Sequence, residues 1–264
     1  MYDFNYQAPA TLAEALAAIA GAEDGKLLAG GMTLIPTLKQ RLAQPSDLID
    51  LSKLAELKGI SRDAGSVTIG AMTTHAEVAA SPDVKAAIPA LAALAGNIGD
   101  AQVRHRGTIG GSICNNDPAA DYPSALVALG ATVKTNAREL VAEDFFTGMF
   151  ETALELGEIV LSVRFPIPEK AAYAKFPNPA SRYAVVGVFV AKTGSAVRVA
   201  VTGAGPAVFR ATTFEHALAG SFSAAAVAGL KFPADDLNAD IHASAEYRAH
   251  LVTVMAKRAV ASIA

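Results

Sequence analysis

Gly107-Thr108-Ile109-Gly110-Gly111-Ser112, followed after two residues by Asn115-Asn116-Asp117-Pro118-Ala119-Ala120-Asp121-Tyr122-Pro123, is the stretch that decides how this chain is read. Adjacent residues without a Cβ let backbone N–H groups turn toward one point and let a ligand approach the main chain. An earlier segment, Ala29-Gly30-Gly31-Met32-Thr33, repeats the pattern directly after the short apolar strand Lys26-Leu27-Leu28. A helix start after each pair adds partial positive charge that suits an anion. Two such loops would grip the two phosphates of a dinucleotide, with Thr33 and Ser112 as extra donors. The same glycines also serve as tight turns in a compact fold, and on pattern alone both readings stand. The amides and carboxylates after the second pair suit the hydroxyls of a ribityl or ribose chain. Asx residues before proline commonly make turns, so Asp117 reads as structural. Asp121 precedes an apolar segment from Tyr122 and reads as an N-cap, a role compatible with ligand contact.

Working outward, 264 residues at 27.0 kDa suffice for one large domain or two modest ones with a well-buried core. Hydrophobic residues at 52% against 18% charged exclude disorder as the dominant state. A net charge of -3 argues against nucleic-acid binding through a broad basic surface. The single cysteine, Cys114, excludes an internal disulfide and any Fe–S cluster held by this chain alone, and it reads as a buried small hydrophobe. The five histidines are scattered without metal-ligand spacing. Neither glycine pair is followed by the Lys-Ser/Thr of a Walker A loop. Gly203-Ala204-Gly205-Pro206 lacks the third glycine of a nicotinamide fingerprint, and no Gly-x-Ser-x-Gly elbow marks a hydrolase. Met1-Tyr2-Asp3-Phe4-Asn5 has neither the basic nor the apolar region of a secretory signal. The apolar runs at 86–95 and 183–191 are too short to span ~30 Å of hydrocarbon as helices. The expectation is a cytoplasmic protein with no membrane span.

Short apolar strands alternate with helical patterns over the first ~165 residues, a mixed α/β layering. Thr11-Leu12-Ala13-Glu14 and Thr74-His75-Ala76-Glu77 have capping-box spacing, each opening a helix. Residues 33–41 and 86–95 read as helices, the latter with Pro89 near its start, and Leu48-Ile49-Asp50 and Val67-Thr68-Ile69 read as strands. After Pro166-Ile167-Pro168 the texture changes. Residues 183–191 and 196–202 form a β-hairpin around Gly194, and residues 243–259 a helix with Tyr247, Leu251, Val254 and Met255 on one face. The fold expected is α+β, with domains at 1–168 and 169–264.

Taken together these motifs resemble the FAD-binding medium subunits of the molybdenum hydroxylases, the carbon monoxide dehydrogenase and xanthine dehydrogenase family. The resemblance covers both glycine loops and Ala71-Met72-Thr73-Thr74-His75. It continues through Gly203-Ala204-Gly205-Pro206 with Arg210-Ala211, and Ser244-Ala245-Glu246-Tyr247-Arg248, in order along nearly the whole chain. It implies an FAD-binding fold of the vanillyl-alcohol-oxidase type, with FAD between two N-terminal subdomains and a smaller C-terminal α+β domain. Ala29, Gly30, Gly31, Met32 and Thr33, with Thr108, Ile109, Gly110, Gly111 and Ser112, would hold the pyrophosphate. Asp121 would contact the hydroxylated chain, with Ile98 near the isoalloxazine and Val160 in backbone contact with it. Lys175 would stand near the flavin, stabilising the charge gained on reduction, and Tyr183 would cover one face. Arg182 departs from the acidic residue usual before that aromatic, and Asn178-Pro179-Ala180 replaces a more basic stretch.

The activity so implied is electron transfer, with no catalytic side chain in this subunit. Substrate oxidation would occur at a molybdenum–pterin centre on a large subunit. Electrons would come through [2Fe–2S] clusters of a small subunit and leave to an external acceptor, in a dimer of heterotrimers. Two rivals remain at this level: a stand-alone MurB-like FAD oxidoreductase, which needs a general acid over the flavin, and a flavin-free binding or scaffold protein.

Overall fold

The computed structural model describes residues 1–263. Thr11 Oγ1 accepts the Glu14 N–H and opens helix Leu12–Gly21, but the Glu14 carboxylate reaches back to the Ala10 N–H instead of closing the box on Thr11. The second box closes completely: Thr74 and Glu77 exchange both bonds at the start of His75–Ala80. The single helix expected over 86–95 is two helices, Pro82–Ala87 and Pro89–Gly96. Ile88 breaks them, held out of helical conformation by the ring of the following proline.

Of the four sheets among the described residues, three organise the chain; the fourth pairs Phe146–Gly148 with Glu151–Thr152. Strands Asn5–Gln7 and Gly25–Leu28 flank Asp47–Asp50 in parallel, and the 29–33 loop leaves the carboxyl end of Gly25–Leu28. A five-stranded antiparallel sheet runs in the order Ile60–Arg62, Ser66–Gly70, Val160–Pro166, Thr132–Thr135, Glu139–Val141. A third sheet contains Lys170–Pro177, Ala184–Thr193, Ala196–Thr202 and Phe209–Arg210, all antiparallel. Its central hairpin turns on two residues, Gly194-Ser195, with Gly194 at φ +57°. The strand begins at Ala184, so Tyr183 belongs to the preceding loop.

Ala184–Thr193 shows no polar alternation because both of its faces are covered. Val186, Val188 and Val190 pack with Phe214, Leu251 and Met255 on one side. On the other, Phe189 and Ala191 join Tyr122, Leu126 and Phe165 of the N-terminal half. Each large side chain buried this way contributes roughly 1.5–3 kcal/mol, so the C-terminal sheet is fused to the N-terminal half by a shared core. Helix Ala245–Ala261 buries Arg248, Leu251, Val252, Met255 and Ala256. Leu251 and Met255 of the expected face are buried and Val254 packs beside them, but Tyr247 is 43% exposed, and its neighbour Arg248 is buried in its stead. Among the described residues, no helix is long and apolar enough to cross a membrane.

Candidate functional site

The two glycine loops meet. A Cβ on Gly30 would lie 2.1 Å from the Arg106 carbonyl oxygen and 2.8 Å from the Gly107 Cα, so the first loop lies directly on the backbone leading into the second. A Cβ on Gly111 would point at Ala29, 3.5 Å from its Cβ. Gly31 sits at φ +76°, which favours glycine. In this conformation the N–H groups of Gly30, Gly31, Met32 and Thr33 donate to no acceptor among the described residues. Four consecutive unsatisfied donors beside a cleft form a built site for an anion.

The second loop differs from the expectation of a matching nest. It opens helix Ile109–Asn115, and its N–H groups from Ile109 to Ser112 are already bonded, leaving the Thr108 N–H without an acceptor among the described residues. Ile109 N–H donates to Thr73 O (3.1 Å), Gly110 N–H to Ala71 O (2.8 Å) and Gly111 N–H to Thr108 Oγ1 (3.1 Å). Gly110 is needed because a Cβ there would strike Ala71 at 2.7 Å, a packing constraint and not an opening for phosphate. Among the described residues, the Ser112 hydroxyl makes no hydrogen bond, and it faces the cleft.

The cleft has a volume of about 560 Å³. Its wall includes Ala29, Gly30, Gly31, Met32, Thr33, Ile98, Thr108, Gly110, Gly111, Ser112, Asp121, Val160 and Tyr183, which the fold draws from six separate segments. Two expected residues are not on it. Ile109 is fully buried in the core, its side chain turned inward by the helix that starts there. Lys175 stands behind the wall: its ammonium lies 3.0 Å from Asp121 Oδ1 and donates to Asn97 O at 2.9 Å. Its charge is matched within the protein. Asp121 is also no side-chain cap: its own backbone is already helical, and its carboxylate accepts from Tyr173 Oη and Lys175 Nζ. Tyr173, two residues before Lys175 on the same strand face, went unread in the sequence. Strand periodicity joins the two, but only the fold shows Asp121 opposite them.

Buried charge on the wall is held in place. Desolvation raises the Asp121 carboxyl above the usual range, with Lys175 and Tyr173 working against it. Asp117 accepts the Ala119 N–H in an Asx turn at 2.8 Å. His75, unread as a wall residue, is 4% exposed; burial, then Arg104, lowers it to about 4, so the imidazole is neutral. Glu158 is held down to about 2: desolvation opposes, but Arg138, the Glu155 N–H and the Thr135 hydroxyl prevail. Burial pushes the Cys114 thiol up to about 12. At the mouth, Tyr183 is 45% exposed and follows Arg182, which is left-handed at φ +62°. The compact turn 178–183 is closed by Asn178, whose side chain accepts from Ala180 and Ser181 N–H. Arg182 lines the cleft, so the charge that departs from the family pattern stands at the site.

Residues 2–168 match the family of the FAD binding domain in molybdopterin dehydrogenase, and residues 171–263 that of the CO dehydrogenase flavoprotein C-terminal domain. The chain is 36% identical to the carbon monoxide dehydrogenase medium chain of Hydrogenophaga pseudoflava, over 97% of this chain and 96% of that one. It is 35% identical to the nicotine 6-hydroxylase medium subunit of Paenarthrobacter nicotinovorans, covering 97% and 95%. Among solved structures, carbon monoxide dehydrogenase from Hydrogenophaga pseudoflava superimposes with a TM-score of 0.87 at 34% identity, covering 98% of this chain and 96% of that one. Quinoline 2-oxidoreductase from Pseudomonas putida 86 gives 0.88 at 31%, covering 99% and 97%. With the glycine loops joined at one cleft and likeness sustained from end to end, the chain belongs to the FAD-binding medium subunits of the molybdenum hydroxylases, the carbon monoxide dehydrogenase and xanthine dehydrogenase family.

Proposed function

We propose that the cleft is the FAD site of an electron-relay subunit, with residues 1–168 as the FAD-binding domain and 169–264 as its C-terminal domain. The observation that carries this is the row of unsatisfied N–H groups from Gly30 to Thr33, at the contact between the two loops. An anion there gains charge-assisted hydrogen bonds without any reorganisation of the backbone. These donors, with the Ser112 hydroxyl, would hold the pyrophosphate, while Gly111 keeps the neighbouring wall low. Asp121, fixed by Tyr173 and Lys175, presents a rigid acceptor to the cofactor's hydroxyls. Ile98 and Val160 offer an apolar bed for the ring system, and Tyr183 at the mouth limits water and access. When bound, FAD supplies a carrier that takes up and releases electrons one or two at a time.

The chain would work beside a small [2Fe–2S] subunit and a large molybdopterin subunit, in a dimer of heterotrimers in the cytoplasm. One cysteine in the chain agrees with that division, because the cluster ligands must come from elsewhere. The test is FAD content per chain in the purified native complex, read from absorbance in the flavin region and from cofactor released on denaturation. One FAD per chain, with two co-purifying subunits, is expected; a colourless preparation overturns the reading.

A further inference from the structure

The wall segment 117–121 is shaped by the C-terminal sheet. Three successive carbonyls of this segment accept from that sheet. Pro118 O receives the Gly203 N–H at 2.7 Å, Ala119 O the Ala184 N–H at 3.3 Å, and Ala120 O the Thr202 hydroxyl at 2.6 Å. Thr202 Oγ1 also lies 3.1 Å from Pro118 O. Its single proton belongs to the shorter contact, and Gly203 satisfies Pro118. With these carbonyls turned toward the sheet, Asp117, Ala120 and Asp121 are left facing the cleft.

Thr202 is 1% exposed and ends strand Ala196–Thr202, so the hydroxyl has no freedom to follow a displaced loop. Gly203 is equally fixed: it sits at φ +81°, and a Cβ there would lie 2.4 Å from the Ala184 carbonyl oxygen. The same sheet reaches the end of the segment a second time, through the contacts of Tyr173 and Lys175 with Asp121. None of Thr202, Gly203 or Tyr173 lies on the cleft wall.

We propose that Thr202 is a positioning residue of the FAD site, setting the Pro118–Ala119–Ala120 backbone from the C-terminal domain so that Asp117 and Asp121 stand in register with the glycine loops. Removing its hydroxyl leaves the buried Ala120 carbonyl without a donor, and the segment must move to recover one. The C-terminal domain is on this view a template for the cofactor site as well as a cover. The proposal rests on the reading of the cleft as an FAD site.

The experiment compares Thr202→Val, which keeps the shape and loses the donor, with Thr202→Ser, which keeps the donor. Both are made in the full chain within its native complex, deflavinated and titrated with FAD. Thr202→Val is expected to raise the FAD Kd by about tenfold or more, while Thr202→Ser stays near wild type. The rise in Tm on adding FAD should shrink in Thr202→Val and persist in Thr202→Ser. If Thr202→Val does not fold, Thr202→Ala, which also lacks the donor, carries the same expectation. A purely structural role lowers Tm equally with and without FAD and leaves Kd alone, and that result overturns the proposal. Wild-type protein that binds no FAD overturns instead the reading of the cleft, so the two failures are separate.

Discussion

Gly30→Ala tests the contact on which the cofactor site is built. The new methyl would start 2.1 Å from the Arg106 carbonyl oxygen, 2.7 Å from its carbon and 2.8 Å from the Gly107 Cα. All three are backbone atoms, so no side chain can swing aside. A carbon and an oxygen need about 3.2 Å or more, so the two loops must separate by roughly 1 Å. Overpacking of this kind costs about 1–3 kcal/mol, and the rigid backbone on both sides puts this case near 3. At ~2–4 °C per kcal/mol for a chain of this size, Tm should fall by about 6–12 °C. Cofactor binding should suffer more than the fold does. A displacement of that size breaks the convergence of the Gly30–Thr33 donors, and losing even two charge-assisted bonds costs about 3 kcal/mol or more, a hundredfold in Kd. The assay is calorimetry of the deflavinated full chain, with FAD titration of the same material. Gly21→Ala is the control, because a Cβ there meets nothing within 4 Å. Wild-type Kd in Gly30→Ala would refute the reasoning, since the loops would then be free to shift without disturbing the donors.

Two further substitutions probe the charges around the cleft. Lys175→Met strips the buried Asp121 of its counter-charge, a loss that costs about 3–5 kcal/mol when one partner of such a pair is removed. Desolvation then raises Asp121 further, and a carboxyl raised in the folded state costs stability only while ionised. The deficit against wild type should therefore be largest near neutral pH and shrink on acidification; a pH-independent deficit in Tm would refute it. Glu158→Gln addresses the opposite shift. A carboxyl lowered from its ordinary 4.5 to about 2 contributes stability that is present above 4.5 and lost as pH falls toward 2. The variant should be less stable at neutral pH and show a flatter decline through that window; an unchanged acid limb would count against the Arg138 and Thr135 contacts.

What could be read from the sequence followed from how locally each feature is determined. The helix starts at Thr11 and Thr74, the Gly194-Ser195 turn and the paired glycines announce themselves within a few residues, and each stands where the pattern placed it. The misreadings share the opposite cause. In helix Ala245–Ala261 Leu251 and Met255 point inward as expected, but Tyr247 does not: the buried place beside it is filled by Arg248, which hydropathy assigns to solvent. The guanidinium is buried on acceptors that only the fold supplies: Val185 O at 2.7 Å, Gly203 O at 2.8 Å and Asp240 Oδ2 at 2.7 Å. The resemblance sets Lys175 near the flavin; the fold sets it on Asp121, a counter-ion 54 residues away that no local pattern reveals. Ile109 lies between cleft residues in sequence, but successive residues at a helix start project in different directions, and its side chain faces the core. Thr108 to Ser112 read as a second nest from composition, whereas four of the five donors are committed, to Thr73, Ala71 and twice to Thr108.

The titratable groups on the wall also bear on the kind of chemistry the chain performs. A flavoenzyme that reduces a small molecule directly needs a group able to deliver a proton near neutral pH. Here the His75 imidazole is neutral down to about 4, the Cys114 thiol is protonated up to about 12, and Glu158 is ionised down to about 2. Asp121 is occupied by Lys175 and Tyr173, and Asp117 by the Ala119 N–H. None of these three groups changes protonation near neutrality; burial raises the Asp117 and Asp121 carboxyls, and both are engaged with partners inside the protein. Such a wall binds, orients and insulates. Those are the demands on a subunit whose substrate chemistry lies elsewhere.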